Sequence, residues 1–230
     1  MNEQIFEVLK EAFVKIITKG VLVTIPMAAI GFALALIIAI VVALIQYAKV
    51  PVLRQIARFY IWIMRGTPLL VQLFVVFYGL PGLGVKVNAY ISAVSVFALC
   101  EGAYCAETIR GSLEAVSYGQ TEAGYCVGLN FCQTMWHIVL PQAMRNAFPA
   151  LSNSLISLIK DTSLAANITV NEMFMTAQRV AGRTYQFMAI YLELAVVYLI
   201  FCTVLTYIQK IIEGKLGRYD NKNSKVTVNA

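Results

Sequence analysis

Residues able to hold a polar or charged group stand out in this chain because their surroundings are so apolar. Lys160-Asp161-Thr162-Ser163 follows an apolar run and sets a cation, an acid and two hydroxyls side by side, enough to bind both ends of a dipolar solute. The same residues suit an ion pair snorkelling at a helix end equally well. Arg65-Gly66-Thr67-Pro68 enters another apolar run. Pro68 has no N–H and leaves a carbonyl unpaired, Gly66 allows close backbone approach, and broken helices of this kind line solute paths. Thr67 and Gln72 are expected to face the interior there. The plainer alternative is an ordinary helix start, with Arg65 anchoring it. Glu101 falls about midway along a third run, where an ionised acid costs several kcal/mol unless it is paired or hydrated. It is protonated, faces water, or reads an ammonium group. Glu193 is equally expensive and has Arg183 or a neighbouring helix for a partner. Glu107 and Arg110, three residues apart, form an expected helical ion pair.

Covalent chemistry is poorly served by the remainder. The single histidine, His137, suits a polar helix cap, and no GxSxG, HExxH or GxxxxGK[ST] run occurs, which removes the commonest hydrolase, metalloprotease and nucleotide-binding signatures. Cys100, Cys105, Cys126, Cys132 and Cys202 are odd in number and form no CxxC pair, so they read as small hydrophobes rather than disulfides or zinc ligands. No metal or cofactor is expected on this chain. An intramembrane enzyme would need Glu101, Glu107 and His137 to converge.

The elements that position these residues follow from composition. Of 230 residues, 60% are apolar and 13% charged, which argues against both a soluble domain and a disordered chain and makes the bilayer the solvent. Residues 1–19 alternate Glu and Lys with Ile, Leu and Phe at helical spacing and predict an amphipathic helix lying on a membrane surface; they lack the pattern of a signal peptide. Apolar runs then cover Gly20 to Ala48, Gly66 to Val85 with a start near Phe59 or Tyr60, Ala89 to Ile109, Ala143 to Ile159 around Pro149, and Tyr185 to Gln209. A span needs about 20 such residues, so five transmembrane helices are expected. The stretch 110–142 is mixed in polarity, with Gly111, Gly119, Gly124 and Gly128, and predicts short helices separated by glycine turns outside the lipid. Residues 218–230 read as a cytoplasmic tail, frayed from Asp220 onward. Lys49, Arg54, Arg58 and Arg65 between the first two runs, and Lys210, Lys215, Arg218, Lys222 and Lys225 after the last, orient the bundle with its N-terminus outside and its C-terminus inside.

Within the stretch that this topology makes cytoplasmic, Glu122-Ala123-Gly124, Gly128 and Ile138-Val139-Leu140-Pro141 have the spacing EAx-x3-G-x9-I-x-L-P. This resembles the EAA loop of ABC-importer permeases, with Gly124 where the family usually has a second alanine. A soluble motor can work on a membrane bundle only through a rigid element that touches both. Ala123, Gly124 and Gly128 would let a short helix sit close against a groove wall, and Glu122 could pair with a basic group there. Alone, Glu122 is as well explained as a solvated surface charge.

The runs RGTPLLVQLFVVFYGLP (65–81), AYCAETIRGSLEAVSYGQTEAG (103–124), LPQAMRNAFPALSNSLISLIKDTSLAANITVNEMF (140–174) and 185–217 are similar to permeases of the polar amino acid family of ABC importers, and within it the combination ARFYIWIMRGTPLL, LSNSLISLIKDTSLAANITV and AQRVAGRTYQ resembles bacterial L-cystine importer permeases. The resemblance implies a type I importer permease fold over residues 20–217, in a bacterial cell membrane, with a cytoplasmic coupling helix inside about 111–142. It implies a dimer with a second copy or a sister permease, ATPase subunits that carry ATP and Mg, an extracytoplasmic binding protein that delivers the amino acid, and no nucleic acid partner. It places the ATPase contact at Glu122, Ala123, Gly124, Gly128, Ile138, Leu140 and Pro141, and Lys160, Asp161, Thr162 and Ser163 near the translocation path. Glu101 departs from the family's usual pattern. An ATP-independent channel or exchanger would leave the Glu122 to Pro141 spacing without a purpose.

Overall fold

The computed structural model describes residues 2–48 and 50–227. Lys49, one of the charges in the orientation argument, lies outside them, as do Met1 and residues 228–230 of the tail. The described residues are helical nearly throughout. Helix α1 (Asn2–Lys19) passes through a π turn at Gly20–Thr24 into α2 (Ile25–Tyr47), giving one continuous helix whose span from Phe6 to Tyr47 contains an apolar segment long enough to cross a bilayer. The expected separate surface helix is therefore the first part of a longer rod. Nothing in the sequence stops it: the widened turn absorbs the missing N–H of Pro26, and Gly20 has the Phe201 ring where a Cβ would stand. The apolar stripe of α1 is covered by protein, with Ala12 and Ile16 buried among Met173, Ala177, Ala181, Ile190 and Leu194.

Helix α2 turns Gly31, Ala35, Ala39 and Ala43 inward at four-residue spacing. Small residues on one stripe let two backbones approach closely in lipid, and the partner is α5 (Ala89–Glu114), started by Asn88, whose Oδ1 accepts the Ile91 N–H at 2.8 Å. Between them, α3 (Pro51–Gly66) and α4 (Leu69–Phe74) meet at a 104° bend, and α4 continues through a π turn and a 3-10 turn to Leu83. After α5 come α6 (Tyr118–Cys126), α7 (Phe131–Thr134), a π turn over Met135–Val139, and α8 (Leu140–Asp161). A 3-10 segment, Thr162–Ile168, then leads to α9 (Met173–Thr184) and α10 (Phe187–Thr227).

Among the described residues three helices have the length and apolarity of a span, Phe6–Tyr47, Ala89–Glu114 and Phe187–Lys215, and the bent α3/α4 pair makes a fourth if it is taken as one span. Helix α8 is 22 residues long, but Arg145, Asn146, Asn153, Ser154, Ser157, Lys160 and Asp161 make it amphipathic. Two local expectations change. Gly111 continues α5, while Gly119 and Gly124 lie inside α6, so Gly128, at φ +81°, is the one glycine of that group that makes a turn. The expected frayed tail is helical as far as Thr227, since no proline interrupts it.

Candidate functional site

The break between α3 and α4 is built by Thr67 and Pro68, both extended. Carbonyls freed by a broken helix need donors, and Gln72 supplies them: its Nε2 donates to Met64 O at 2.9 Å, Thr67 O at 3.1 Å and Thr67 Oγ1 at 2.9 Å. The Thr67 hydroxyl donates in turn to Ile63 O at 2.9 Å. Gln72 thus holds the bend from behind, while Thr67 borders the space in front of it.

That space is a cavity of about 570 Å³ walled by Arg65 to Leu69 from the bend, Cys100, Glu101 and Tyr104 from α5, and Ser154, Ser157 and Asp161 from α8. Glu101 and Asp161 therefore share a wall. Lys160 is exposed and does not line the cavity; Thr162 is buried and donates to Ile159 O at 2.7 Å; Ser163 is half-buried beyond the cavity. The cation on the cavity wall is Arg65, whose guanidinium lies 5.1 Å from the Tyr104 ring centroid and 4.0 Å from Glu107. Ser154, Ser157 and Arg65 are lining residues beyond those expected from the sequence. Spacings of three and four through Ser154, Ser157 and Asp161 mark one polar helix face, a pattern that could have found two of them.

Glu107 sits one turn further along, in a polar network. It accepts from Gln46 Nε2 at 3.1 Å and Arg110 Nη2 at 3.0 Å, and Arg110 also reaches Glu114 at 2.7 Å. His137 is exposed on the π turn before α8. Glu101, Glu107 and His137 do not converge, so the arrangement an intramembrane enzyme would need is not formed. Among the described residues Glu193 has no ion pair with Arg183, and its Oε2 is buried without a partner. The five cysteines are all free.

The second candidate region is α6 with its flanking turns. Gly128 closes α6 in the left-handed conformation, with its N–H donating to Tyr125 O at 3.0 Å, the usual glycine stop. Asn130 then caps α7 reciprocally with Gln133. Gly124 is the buried residue of α6, and a Cβ there would lie 2.7 Å from Thr134 Cγ2 and 3.2 Å from Ile138 Cδ1. This close seat explains why glycine stands where alanine was expected. Leu140 is buried, Ile138 half-buried and Pro141 exposed at the first turn of α8, while Glu122 and Ala123 point outward. Glu122 makes no hydrogen bond or ion pair among the described residues, and Tyr118, Val127, Phe131 and Trp136 are exposed along α6, α7 and the turns between and after them. The helix is thus short and rigid, fixed underneath by a glycine and unpartnered on its outer face.

A bent span beside a polar cavity and a rigid helix with an unpartnered face suit a membrane transport subunit, and comparison with known proteins agrees. Residues 31–218 match the model of the binding-protein-dependent transport system inner membrane component family, and the chain belongs to it. It is an amino acid ABC transporter permease subunit of the inner membrane, not an enzyme. Among relatives it is similar to the L-cystine transport system permease protein TcyB of Bacillus subtilis (strain 168), 43% identical over 93% of this chain and 92% of the relative. The L-cystine transport system permease protein TcyL of the same strain is 35% identical, covering 94% and 92%. The crystal structure of an amino acid ABC transporter with histidines superposes with a TM-score of 0.80 at 27% identity, covering 90% of this chain and 94% of that one. The inward-facing MetNI methionine ABC transporter shares the fold, at a TM-score of 0.75 and 16% identity over 87% and 96%.

Proposed function

We propose that the chain carries a polar amino acid, L-cystine by first choice, received from an extracytoplasmic binding protein. In this reading α6 is the coupling helix gripped by ATPase subunits, which hold the ATP and Mg. Glu122 and Ala123 meet the ATPase, Gly124 and Gly128 set the angle of the handle, and Ile138, Leu140 and Pro141 anchor its base. The cavity at the bend is the solute path, with Thr67, Glu101 and Asp161 on its wall, Gln72 holding its shape, and Lys160, Thr162 and Ser163 at its outer margin. Helix α8 is the fifth span, amphipathic because one face lines that path. The basic residues after α2 and along α10 keep those ends in the cytoplasm. A second permease, identical or a sister, closes the path across a two-fold axis.

The observation that carries the reading is the unpartnered outer face of α6 above the tight contact of Gly124 with Thr134. The preference for cystine draws on the likeness to the two cystine permeases named above. Uptake of labelled cystine, glutamine and arginine by cells carrying the complete transporter tests it. Saturable, ATP-dependent cystine uptake in excess of the other two is expected, and uptake of glutamine or arginine in preference to cystine overturns the choice of substrate.

A further inference from the structure

We propose that the cleft between α1 and α9 holds the phosphate group of an anionic phospholipid. This cleft, of about 370 Å³, is walled by Lys15 and Lys19 of α1 and Arg179 and Arg183 of α9, together with Val14 and Val180. No acid lines it among the described residues. The acids nearby are engaged elsewhere: Glu11 accepts from Lys15 one turn along α1, and Glu172 is buried as the cap of α9. Lys19, Arg179 and Arg183 have no ion pair among the described residues. Cations gathered on one cleft repel one another until an anion stands between them, and a phosphate oxygen is the acceptor that arginine fits best.

The place of the cleft selects a lipid as the source of that phosphate. Lys19 is the last charge before the uncharged run 20–48, and Arg183 is the last before the apolar stretch that opens at Phe187. Both helices therefore lead from the cleft into the hydrocarbon. Val21 and Leu22 are exposed just beyond Lys19, and Phe187 and Met188 just beyond Arg183. Exposed Tyr185 packs edge-on against Phe187, the aromatic pairing expected at headgroup level. A basic pocket for a headgroup thus adjoins apolar surface for acyl chains, whereas a soluble anion would use the cations alone. The orientation in the proposed function puts this site in the outer leaflet, on the side where Lys and Arg are ordinarily scarce.

Native mass spectrometry of the permease–ATPase complex, titrated in detergent with phosphatidylglycerol or phosphatidylcholine, tests the site. The wild type is expected to bind phosphatidylglycerol at least about tenfold more tightly than phosphatidylcholine, and the double variant Arg179→Gln, Arg183→Gln to narrow that ratio to about twofold. Arg179→Lys with Arg183→Lys, which keeps both charges, should retain most of the preference and guards against a folding defect in the first variant. Lys10→Gln, on the exposed part of α1 outside the cleft, should leave the ratio unchanged. Equal binding of the two lipids, or an undiminished ratio in the double glutamine variant, overturns the site. Displacement of phosphatidylglycerol by equimolar inorganic phosphate makes the ligand a soluble anion and overturns the lipid. Weaker docking of the binding protein to the double variant, with its lipid ratio intact, assigns the cations to a protein partner instead. Lipid binding is read here without transport, so equal binding of the two lipids by a transporter that imports cystine refutes this inference and leaves the proposed function standing.

Discussion

The seat of α6 and the cavity at the α3/α4 bend solve opposite problems with different residues. At the seat, contact is dry and close: Gly124 meets Thr134 and Ile138 with no room for a methyl group, so force applied to α6 passes without slack to α7 and the turn that leads into α8. At the bend, carbonyls freed by the break are re-satisfied by Gln72, which leaves a polar wall to the cavity in front of it. A transport subunit needs one part that does not yield and one part that accepts water, and here the seat is made by α6, α7 and the turn into α8, while the cavity is walled by the bend, α5 and α8.

Variants of the two regions should separate accordingly. The largest effect is expected at the handle: Glu122→Lys or Gly128→Asp should lower uptake by about a hundredfold or more, since each puts a changed charge on the face that the ATPase would grip, while the purified permease still unfolds cooperatively. Normal uptake in either variant breaks the assignment. Gly124→Ala comes next. Overpacking against Thr134 should cost about 1–3 kcal/mol, read as lower uptake and a lower Tm, and Thr134→Ala in the same chain should restore both, because the Thr134 hydroxyl has no partner to lose. No rescue would place the defect elsewhere.

At the bend, Gln72→Ala orphans carbonyls and should destabilise the permease by about 1–3 kcal/mol, seen as a lower Tm in detergent, with ATPase binding retained. The smallest expected effect lies outside both regions. Glu172 is fully buried and accepts the Phe174 and Met175 N–H groups at 2.7 Å, capping α9. Glu172→Ala should cost about 1 kcal/mol through the lost cap, a small Tm shift with substrate preference unchanged.

The handle was legible in the sequence because its geometry is local: a glutamate, a glycine stop and an Ile-x-Leu-Pro base fall within twenty residues. Gly124 looked like a departure until the fold put Thr134 beneath it. The break at Thr67-Pro68 was legible for the same reason, since proline announces it. The cavity was less so. Its wall comes from α3, α5 and α8, and which of Lys160 and Asp161 faces inward depends on a helix rotation that one residue's spacing does not define. The amphipathic stripe of α1 gave a correct helix and an incomplete partner, because a hydrophobic face reads alike whether lipid or α9 and α10 cover it.

The claim on which the rest depends is that α6 faces the cytoplasm and is covered there by an ATPase. Cys126 and Cys132 are exposed beside it, whereas Cys100 and Cys105 are buried, so the native chain carries its own reporters. In membranes holding the permease without its ATPase, a membrane-impermeant maleimide should label Cys126 and Cys132 in inside-out vesicles only, and adding the ATPase should protect them. Labelling of these cysteines in intact cells or right-side-out vesicles would contradict it.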